Sequence, residues 1–275
     1  MIVRFWGVRG SIGCPGKETL RIGGNTACVE IRARDRIIII DAGTGIFPLG
    51  NALMKEHHPL EASLFFTHMH QDHVCGWPFF VPAYVPSTRL RVHGERKLGK
   101  DVRGVLSDYM SPPYFPVPLS IMRGRLSFHT VRPGTAVCVS SGVTVRVGRL
   151  NHPNGALGYR IEAVERGRRR IVAHCADSEH QSGPDPNIVK LARHADVLVF
   201  DAMYTPAEYA AGMRGRGHST WEVGIATAKA AGVKRLVLFH HDPRHDDAAM
   251  ARLLREARRR WQGVSIATEG TPLTV

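Results

Sequence analysis

The stretch that decides the fold is Ala62-Ser63-Leu64-Phe65-Phe66-Thr67-His68-Met69-His70-Gln71-Asp72-His73, in which an apolar run leads directly into histidine and aspartate. The apolar half is typical of a buried strand. A single histidine or aspartate after a strand is usually a packed or capping residue. Here four side chains that commonly bind metals fall within one turn, namely those of His68, His70, Asp72 and His73. The cluster therefore predicts a metal site at the end of the strand.

The types of side chain in this cluster indicate which metals would bind. Imidazole and carboxylate suit zinc, with manganese or iron as alternatives, whereas the scattered cysteines form no Cys-x-x-Cys pair that would indicate a thiolate site. His68 and His70 alternate along the chain and can face one ion, while the adjacent Asp72 and His73 can reach another. Two such ions, about 3.5 to 4 Å apart, would share a bridging group. We therefore expect two divalent ions, most simply zinc.

Other apolar runs also lead into histidine or aspartate. Short strands are predicted at 36–40, 62–66, 90–93, 143–150, 157–163, 170–173, 197–200 and 235–239. Six of them are followed by such residues, which are Asp41, the 68–73 cluster, His152, Asp177, Asp201, and the run His240-His241-Asp242. Ligands of α/β proteins tend to bind beyond the carboxyl ends of strands. A shared site at one sheet edge is therefore expected.

The remaining pattern predicts the domain organisation. Helical periodicity is found at 49–57, 186–194, 220–231 and 246–261, with Thr220 or Ser219 capping the third helix and Asp246 the fourth. Strands interspersed with helices predict a layered α/β domain, and no repeat or flexible linker divides residues 1–275. Residues 76–118 are rich in proline and aromatic side chains. We expect this insertion to form a pocket wall, with a rigid surface excursion as the alternative.

Charge and cysteine usage indicate the surroundings and partners of the protein. The formal net charge of +13 would suit nucleic acid, but the arginine clusters at 166–170 and 258–260 are equally explained as solvated faces. A small anionic substrate is the milder expectation. The odd number of cysteines, the absence of a signal-peptide pattern and the lack of a long apolar run predict a soluble cytoplasmic protein without a membrane partner. A homodimer is compatible with the sequence.

The segment Thr67-His68-Met69-His70-Gln71-Asp72-His73 resembles the His-x-His-x-Asp-His signature of metallo-β-lactamase-fold hydrolases. The later elements occur in the order of that family, so the resemblance extends from Phe5 to Gly270. It implies a four-layer αββα sandwich with a dinuclear site at one edge of its two sheets.

The resemblance also implies a role for each candidate residue. His68, His70 and His152 would bind one metal, Asp72, His73 and His240 the other, and Asp177 would bridge them. Asp41 would accept hydrogen bonds from the ligand imidazoles and fix their orientation. His240 and His241 are both plausible ligands, and His240 is preferred because Leu238-Phe239-His240 matches the strand-then-histidine pattern of the family.

Within the superfamily, the resemblance is to the branch that includes ribonuclease Z and cyclic-phosphate phosphodiesterases. The bridging-type Asp177 argues against the antibiotic-degrading lactamases, and His70 argues against flavo-di-iron proteins, which carry glutamate there. The element Gly217-His218-Ser219-Thr220, following Asp201, is typical of this branch. His218, oriented by Asp201, is predicted to act as a general acid or phosphate clamp, with a purely structural position beside a helix cap as the alternative.

These observations predict the reaction. Asp72, Asp201 and His218 are the predicted catalytic residues of a hydrolase that attacks a small phosphodiester or cyclic phosphate with metal-activated water. Ribonuclease Z carries a tRNA-gripping arm between the elements corresponding to His152 and Asp177, and this chain has only a hairpin there, so structured tRNA is not the expected substrate. Thioester or lactone hydrolysis on the same centre, or a non-catalytic regulatory module that binds metal, are the alternatives.

Overall fold

Within residues 1–56 and 59–275, which the computed structural model describes, the chain forms two β-sheets of seven strands each. The first sheet contains β1 (Ile2–Gly7), β2 (Cys28–Ala33), β3 (Arg36–Ile40), β4 (Glu61–Phe65), β5 (Arg89–Gly94), β6 (Arg125–Thr130) and β14 (Pro272–Thr274). The second contains β7 (Ala136–Ser140), β8 (Val143–Leu150), β9 (Ala156–Glu165), β10 (Arg168–Cys175), β11 (Val197–Asp201), β12 (Arg235–Phe239) and β13 (Val264–Ile266). Their spatial orders are β14-β1-β2-β3-β4-β5-β6 and β13-β12-β11-β10-β9-β8-β7.

Helices cover the outer face of each sheet. The described helices are α1 (Ile46–Leu53), α2 (Gln71–Val74), α3 (Val102–Tyr109), α4 (Pro186–Ala192), α5 (Pro206–Glu208), α6 (Trp221–Ala230) and α7 (Asp247–Arg260). Helices α1 and α3 pack on the first sheet, and α4, α6 and α7 pack on the second. The order of layers is helix, sheet, sheet, helix, and the predicted four-layer αββα sandwich is confirmed.

The apolar strands are buried on both faces because each sheet lies between two other layers. In β3, Ile38 and Ile40 face the core between the sheets, whereas Ile39 faces the helices. In β11, Val199 faces the core between the sheets and Leu198 faces the helices on the other side. A strand buried on both faces needs a continuous apolar run instead of an alternating one, which explains the sequence pattern.

Strands and caps follow the predictions more closely than helix ends do. Strands β3, β8 and β12 have the predicted bounds, and the side chains of Thr220 and Asp246 cap α6 and α7 by accepting hydrogen bonds from Val223 N and Ala249 N. Helix α1 begins three residues before the predicted start at Leu49 and ends at Leu53. The predicted end at His57 lies outside the described residues.

The segment 76–118 is part of the layered structure. It contributes β5 to the first sheet, between β4 and the edge strand β6, and α3 to the outer layer. The side chains of Trp77 and Phe80 are fully buried in the core between this sheet and its helices. Burying such large apolar side chains stabilises the fold more than leaving them at a pocket rim would. The prediction that the aromatic residues from Trp77 onward form a wall of the pocket is therefore wrong for Trp77 and Phe80.

Among the described residues, no helix combines the length and the apolar character that crossing a bilayer requires.

Candidate metal centre

Six strands bring their carboxyl ends to the same edge of the sandwich. Strands β3 and β4 run parallel in the first sheet, and β10, β11 and β12 run parallel in the second, with β8 in the same direction because β9 is antiparallel to both of its neighbours. The predicted site residues that lie at or shortly after these strand ends are Asp41, His68, His70, Asp72, His73, His152, Asp177, Asp201 and His240, and His218 lies in the loop before α6. Sheet topology thus gathers side chains that are far apart in the sequence.

Three imidazoles form the first group. Ligand atoms of His68, His70 and His152 lie within 4.8 Å of one another. The His152 Nδ1–H donates to the Gly217 carbonyl oxygen at 2.8 Å, which leaves the lone pair of Nε2 free, and this Nε2 lies 3.1 Å from His70 Nδ1. Burial lowers the pKa of all three imidazoles and keeps them neutral. Neutral imidazole is the form that binds metals.

Two carboxylates and two imidazoles form the second group, which contains Asp72, His73, Asp177 and His240. Oxygens of Asp72 and Asp177 each lie 3.3 Å from His73 Nε2, and they lie 3.1 and 3.2 Å from His240 Nε2. Burial disfavours a charged His73, yet the carboxylates of Asp177, Asp72 and Asp41 raise its pKa well above the usual value. The field that stabilises this proton would equally attract a divalent cation.

Asp41 and Thr67 orient the imidazoles of His73 and His68 by contacting their Nδ1 atoms. Asp41 Oδ2 lies 2.8 Å from His73 Nδ1, so the Nε2 atom of His73 points into the site. The Thr67 amide and hydroxyl both donate to Asp41, at 2.7 and 2.8 Å, and the same hydroxyl lies 3.1 Å from His68 Nδ1. One threonine therefore couples Asp41 to both groups. The sequence predicted Asp41 but not Thr67.

Asp201 and His218 form a hydrogen-bonded pair beside the second group. His218 Nδ1 lies 2.8 Å from Asp201 Oδ2, and its ring stacks on His240 with centroids 4.9 Å apart. Burial opposes protonation of His218, but the charge of Asp201 and its hydrogen bond raise the pKa to about 9. Backbone amides of Ser178, Met203 and Ser219 also donate to Asp201 and fix the carboxylate.

The structure also brings His218 within reach of the metal-binding side chains. Asp177, Asp201, His218 and His240 place ligand atoms within 4.8 Å of one another. The geometry thus allows His218 two roles, as an acid held by Asp201 or as a further ligand. Asp177 belongs to this group and to the second group, but not to the group of three imidazoles.

The backbone is strained at three of the site residues. Asp41, Asp177 and His240 adopt φ angles of 62°, 59° and 61°, in the left-handed region that side chains other than glycine rarely occupy. Each residue directly or closely follows the end of its strand. Strain of this kind persists where the surroundings over-determine it, and it is common at functional sites.

Of the two adjacent candidates, His240 and not His241 faces the cluster. His241 is buried with Nε2 3.1 Å from the Ala267 carbonyl oxygen, away from the carboxylates. A Cβ atom added to Gly10 would lie 2.4 Å from the His240 ring, so only glycine fits beside it. The next residue, Ser11, donates its backbone N–H to Asp72 Oδ2 at 2.8 Å. Because the backbone makes this contact, the side chain at position 11 gives no indication of it in the sequence.

Glu179 is a further residue that the sequence did not predict. Its carboxylate accepts hydrogen bonds from the backbone amides of Gly215 and Gly217, at 2.5 and 2.9 Å, and from the Tyr209 hydroxyl at 2.9 Å. It thereby holds the loop that leads into His218. Its position two residues after Asp177 is the only signal that could have drawn attention to it.

The donor set fits a pair of divalent metal ions. His68 Nε2 and Asp177 Oδ2 are buried side-chain atoms of the two groups without a hydrogen-bond partner in the described structure. Buried polar atoms normally find partners, and atoms without one at a candidate site require an explanation. Imidazole nitrogens and carboxylate oxygens without thiolates suit zinc, manganese or iron.

A cavity of about 670 Å³ adjoins the three-imidazole group. An aromatic wall was expected here, but the lining is rich in charged side chains and contains no aromatic residue of the 76–118 segment. The lining residues are His68, Met69, His70, Glu95, Arg96, Lys97, Leu98, Lys100, Val105, Asp108, Arg149, Asn154 and Gly155. Phe79, which is about half exposed, packs edge-to-face against Phe115 instead of lining the cavity.

Solved structures with the same architecture were found. The metallo-beta-lactamase fold protein YhfI from Bacillus subtilis has a TM-score of 0.71 at 18% identity, covering 99% of this chain and 98% of that one. Zn(2+)-bound PqqB from Methylobacterium extorquens has a TM-score of 0.71 at 15% identity and covers 100% of both chains. A diphosphatase from the PhnP family has a TM-score of 0.67 at 18% identity, covering 99% of this chain and 96% of that one. At these identities the matches show the fold alone.

Sequence comparison identifies the family. Ribonuclease BN of Cronobacter sakazakii is 25% identical over 85% of this chain and 90% of that protein, and ribonuclease Z of Nostoc sp. is 27% identical over 71% of this chain and 72% of that protein. The model of the beta-lactamase superfamily domain matches residues 36–241, well over half of the sequence. The chain therefore belongs to the beta-lactamase superfamily, as a metallo-β-lactamase-fold hydrolase related to ribonucleases Z and BN.

Proposed function

We propose that the protein is a phosphodiesterase with two divalent metal ions, preferably zinc, acting on a small phosphodiester or cyclic phosphate. The observation that carries this proposal is the meeting of two ligand groups and the Asp201–His218 pair at one sheet edge. Relatedness to ribonucleases Z and BN supports phosphodiester chemistry, and the zinc-bound PqqB structure supports zinc in this fold. A cytoplasmic location is proposed with it, because the five cysteines are unpaired.

Each ligand group would hold one ion. His68, His70 and His152 would hold the first ion, and Asp72, His73, Asp177 and His240 the second. Bound metals would supply Lewis-acid polarisation of the phosphoryl group and a water of lowered pKa. Asp41 and Thr67 fix the imidazole orientations, which leaves little reorganisation for the moment of reaction.

The chain itself supplies the proton for the leaving group. Because His218 Nδ1 is hydrogen-bonded to Asp201, Nε2 is the ring nitrogen that can protonate a departing alkoxide or donate to a phosphoryl oxygen. Asp201 is held by three backbone amides and stabilises the charged imidazole. This arrangement supports a general acid in preference to a loosely placed histidine near a helix cap.

A small substrate is favoured over structured RNA by the connection between His152 and Asp177. It consists of β9 and β10 joined by the two-residue turn Arg166-Gly167, in place of the tRNA-gripping arm expected of ribonuclease Z. Processing of tRNA is nevertheless the second candidate, because the curated relatives are ribonucleases Z and BN.

The proposal is tested by substrate panels on protein of known metal content. We expect bis(p-nitrophenyl) phosphate or a 2′,3′- or 3′,5′-cyclic nucleotide to give a higher kcat/KM than thioesters, lactones or a precursor tRNA. A higher kcat/KM on the thioester or lactone panel would reject the phosphodiesterase, and a higher value on precursor tRNA would favour the second candidate.

Metal content tests the ligand groups directly. We expect close to two transition-metal ions per chain, and we expect His68→Ala or Asp72→Ala to lower this number and abolish hydrolysis, because each residue belongs to one group. His129→Ala is the matched control, since it removes an exposed imidazole on β6. Full activity in metal-free protein would be incompatible with this centre and would support a different chemistry.

A further inference from the structure

The cavity beside the three-imidazole group has the size and charge of a binding site for part of the substrate. Its volume of about 670 Å³ lies within the roughly 300–1,000 Å³ common for small-molecule sites. Four cationic side chains line it against two anionic ones, and it opens directly onto His68 and His70. Its charge balance favours an anionic group next to the reacting phosphate.

Three of the four cations already have carboxylate partners. Arg149 makes a two-pronged contact with Glu95, Lys97 lies 3.0 Å from the same carboxylate, and Lys100 lies 2.5 Å from Asp108. Arg96 differs from them. It is exposed, and within the described residues its guanidinium has no carboxylate partner, only the Gly99 carbonyl oxygen at 2.5 Å from Nη2. Of the four cations in this cavity, Arg96 is therefore the one that no carboxylate of the described residues neutralises, so its guanidinium can bind an anionic ligand.

The turn that carries Arg96 is firmly placed relative to the metal groups. Lys97 and Lys100 exchange two backbone hydrogen bonds of 2.9 Å across Leu98-Gly99, whose φ angles of 49° and 80° are those of a tight hairpin turn. The Lys97 ammonium donates to the carbonyl oxygens of Asn154 and Gly155, at 2.6 and 2.8 Å. These carbonyls belong to the loop that carries His152. The spacing between Arg96 and the imidazoles is thus set by direct contacts.

We propose that this cavity is a subsite for a second phosphate of the substrate, with Arg96 as the residue that selects it. The inference rests on the proposed phosphodiesterase function and narrows it to phosphodiesters with a further anionic group. Guanidinium suits this task because it presents planar, paired N–H donors to phosphate oxygens. Arg96 acts in binding and takes no part in the chemical step.

Two p-nitrophenyl esters that differ by one phosphate provide the test. The first is the p-nitrophenyl ester of thymidine 5′-phosphate, and the second is the same ester of thymidine 3′,5′-bisphosphate. We expect the wild-type protein to prefer the bisphosphate ester in kcat/KM by about tenfold or more, the usual scale of a charge-assisted hydrogen bond. Arg96→Gln should abolish this preference by lowering kcat/KM for the bisphosphate ester about tenfold or more, with a clearly smaller change for the monophosphate ester, whereas Arg96→Lys should retain part of the preference.

Arg168→Gln is the matched control. It removes the same charge from an exposed arginine at the other end of β10, away from Asp177, and should leave the preference intact. Unaltered metal content and melting temperature would show that Arg96→Gln remains folded. Turnover of both esters without preference, or an equal loss on both in Arg96→Gln, would overturn the subsite alone. Turnover of neither ester, with thioester or lactone turnover intact, would overturn the phosphodiesterase function and the subsite with it.

Discussion

At the residue scale, the position of His218 is compatible with two roles, a general acid or a metal ligand. Its Nδ1 lies 2.8 Å from Asp201, as expected for an acid and its orienting carboxylate. It also belongs to a group of side chains, with Asp177 and His240, that could hold a cation. Loss of an acid leaves the metals in place, whereas loss of a ligand removes one. The two roles therefore differ in a measurable quantity.

We expect His218→Ala to lower kcat by roughly 10² to 10⁴, the usual range for a lost acid–base group, with metal content unchanged. Steady-state kinetics combined with elemental analysis on the same samples would measure both. Ser219→Ala is the neighbouring control, because its hydroxyl contacts His180 instead of the Asp201–His218 pair. A parallel loss of metal and activity in His218→Ala would assign His218 to the ligands.

Single residues differ in how well the sequence predicts them, for physical reasons. His68 and His70 are predictable because they share one turn with Asp72 and His73. His152 and Asp177 are brought in by strands far along the chain, so strand ends and family resemblance are needed to find them. Thr67 acts through a small hydroxyl and Ser11 through a backbone amide, and neither leaves a distinctive pattern in the sequence.

At the element scale, the loop before His218 is held by Glu179. The two carboxylate oxygens of Glu179 accept hydrogen bonds from the backbone amides of Gly215 and Gly217 and from the Tyr209 hydroxyl. The Gly217 carbonyl in turn accepts from His152 Nδ1, so the loop touches both His152 and His218. Glu179 is thus a positioning residue that acts through the loop.

We expect Glu179→Gln to lower kcat about tenfold while KM changes little, because the amide NH₂ cannot accept the Gly217 N–H and loses one charge-assisted hydrogen bond. Tyr209→Phe removes the hydroxyl that contacts Glu179 and the His180 carbonyl oxygen but leaves both amide contacts of Glu179, and should have a smaller effect. Steady-state kinetics with melting temperatures would separate positioning from folding. A fall in melting temperature with unchanged kcat would mean that Glu179 serves stability alone.

The bounds of strands could be predicted from the sequence where the burial pattern alone determines them. The two-sided burial of β3 and β12 requires continuous apolar runs, and these give strand bounds directly. The ends of α1 depend on packing instead of a capping side chain, since its first residue follows Gly45 without a side-chain cap. The aromatic residues near Trp77 misled the prediction because a proline-rich composition does not reveal which face of a segment is buried.

At the scale of the whole molecule, buried histidines make stability sensitive to acid. Burial lowers the pKa of His93, His174 and His241 to about 3 in each case. An unfolded histidine titrates near 6.5. Between these values the unfolded chain binds protons that the folded chain does not, so stability is fully present above pH ~6.5 and is lost as the pH falls towards 3.

His93 allows this effect to be isolated from the metal centre. Its ring stacks between Phe65 and His129, with centroids 4.3 and 5.0 Å away, and neither ring nitrogen has a hydrogen-bond partner in the described structure. We expect His93→Phe to fold and to reduce the slope of unfolding free energy against pH by about 1.4 kcal/mol per pH unit between pH 4 and 6, which corresponds to one proton. Denaturant titrations of both proteins across this range, at one fixed metal concentration, would measure the difference, since the metal ligands contribute equally to both. Equal slopes would mean that His93 is protonated in the folded state, in conflict with its burial between two rings.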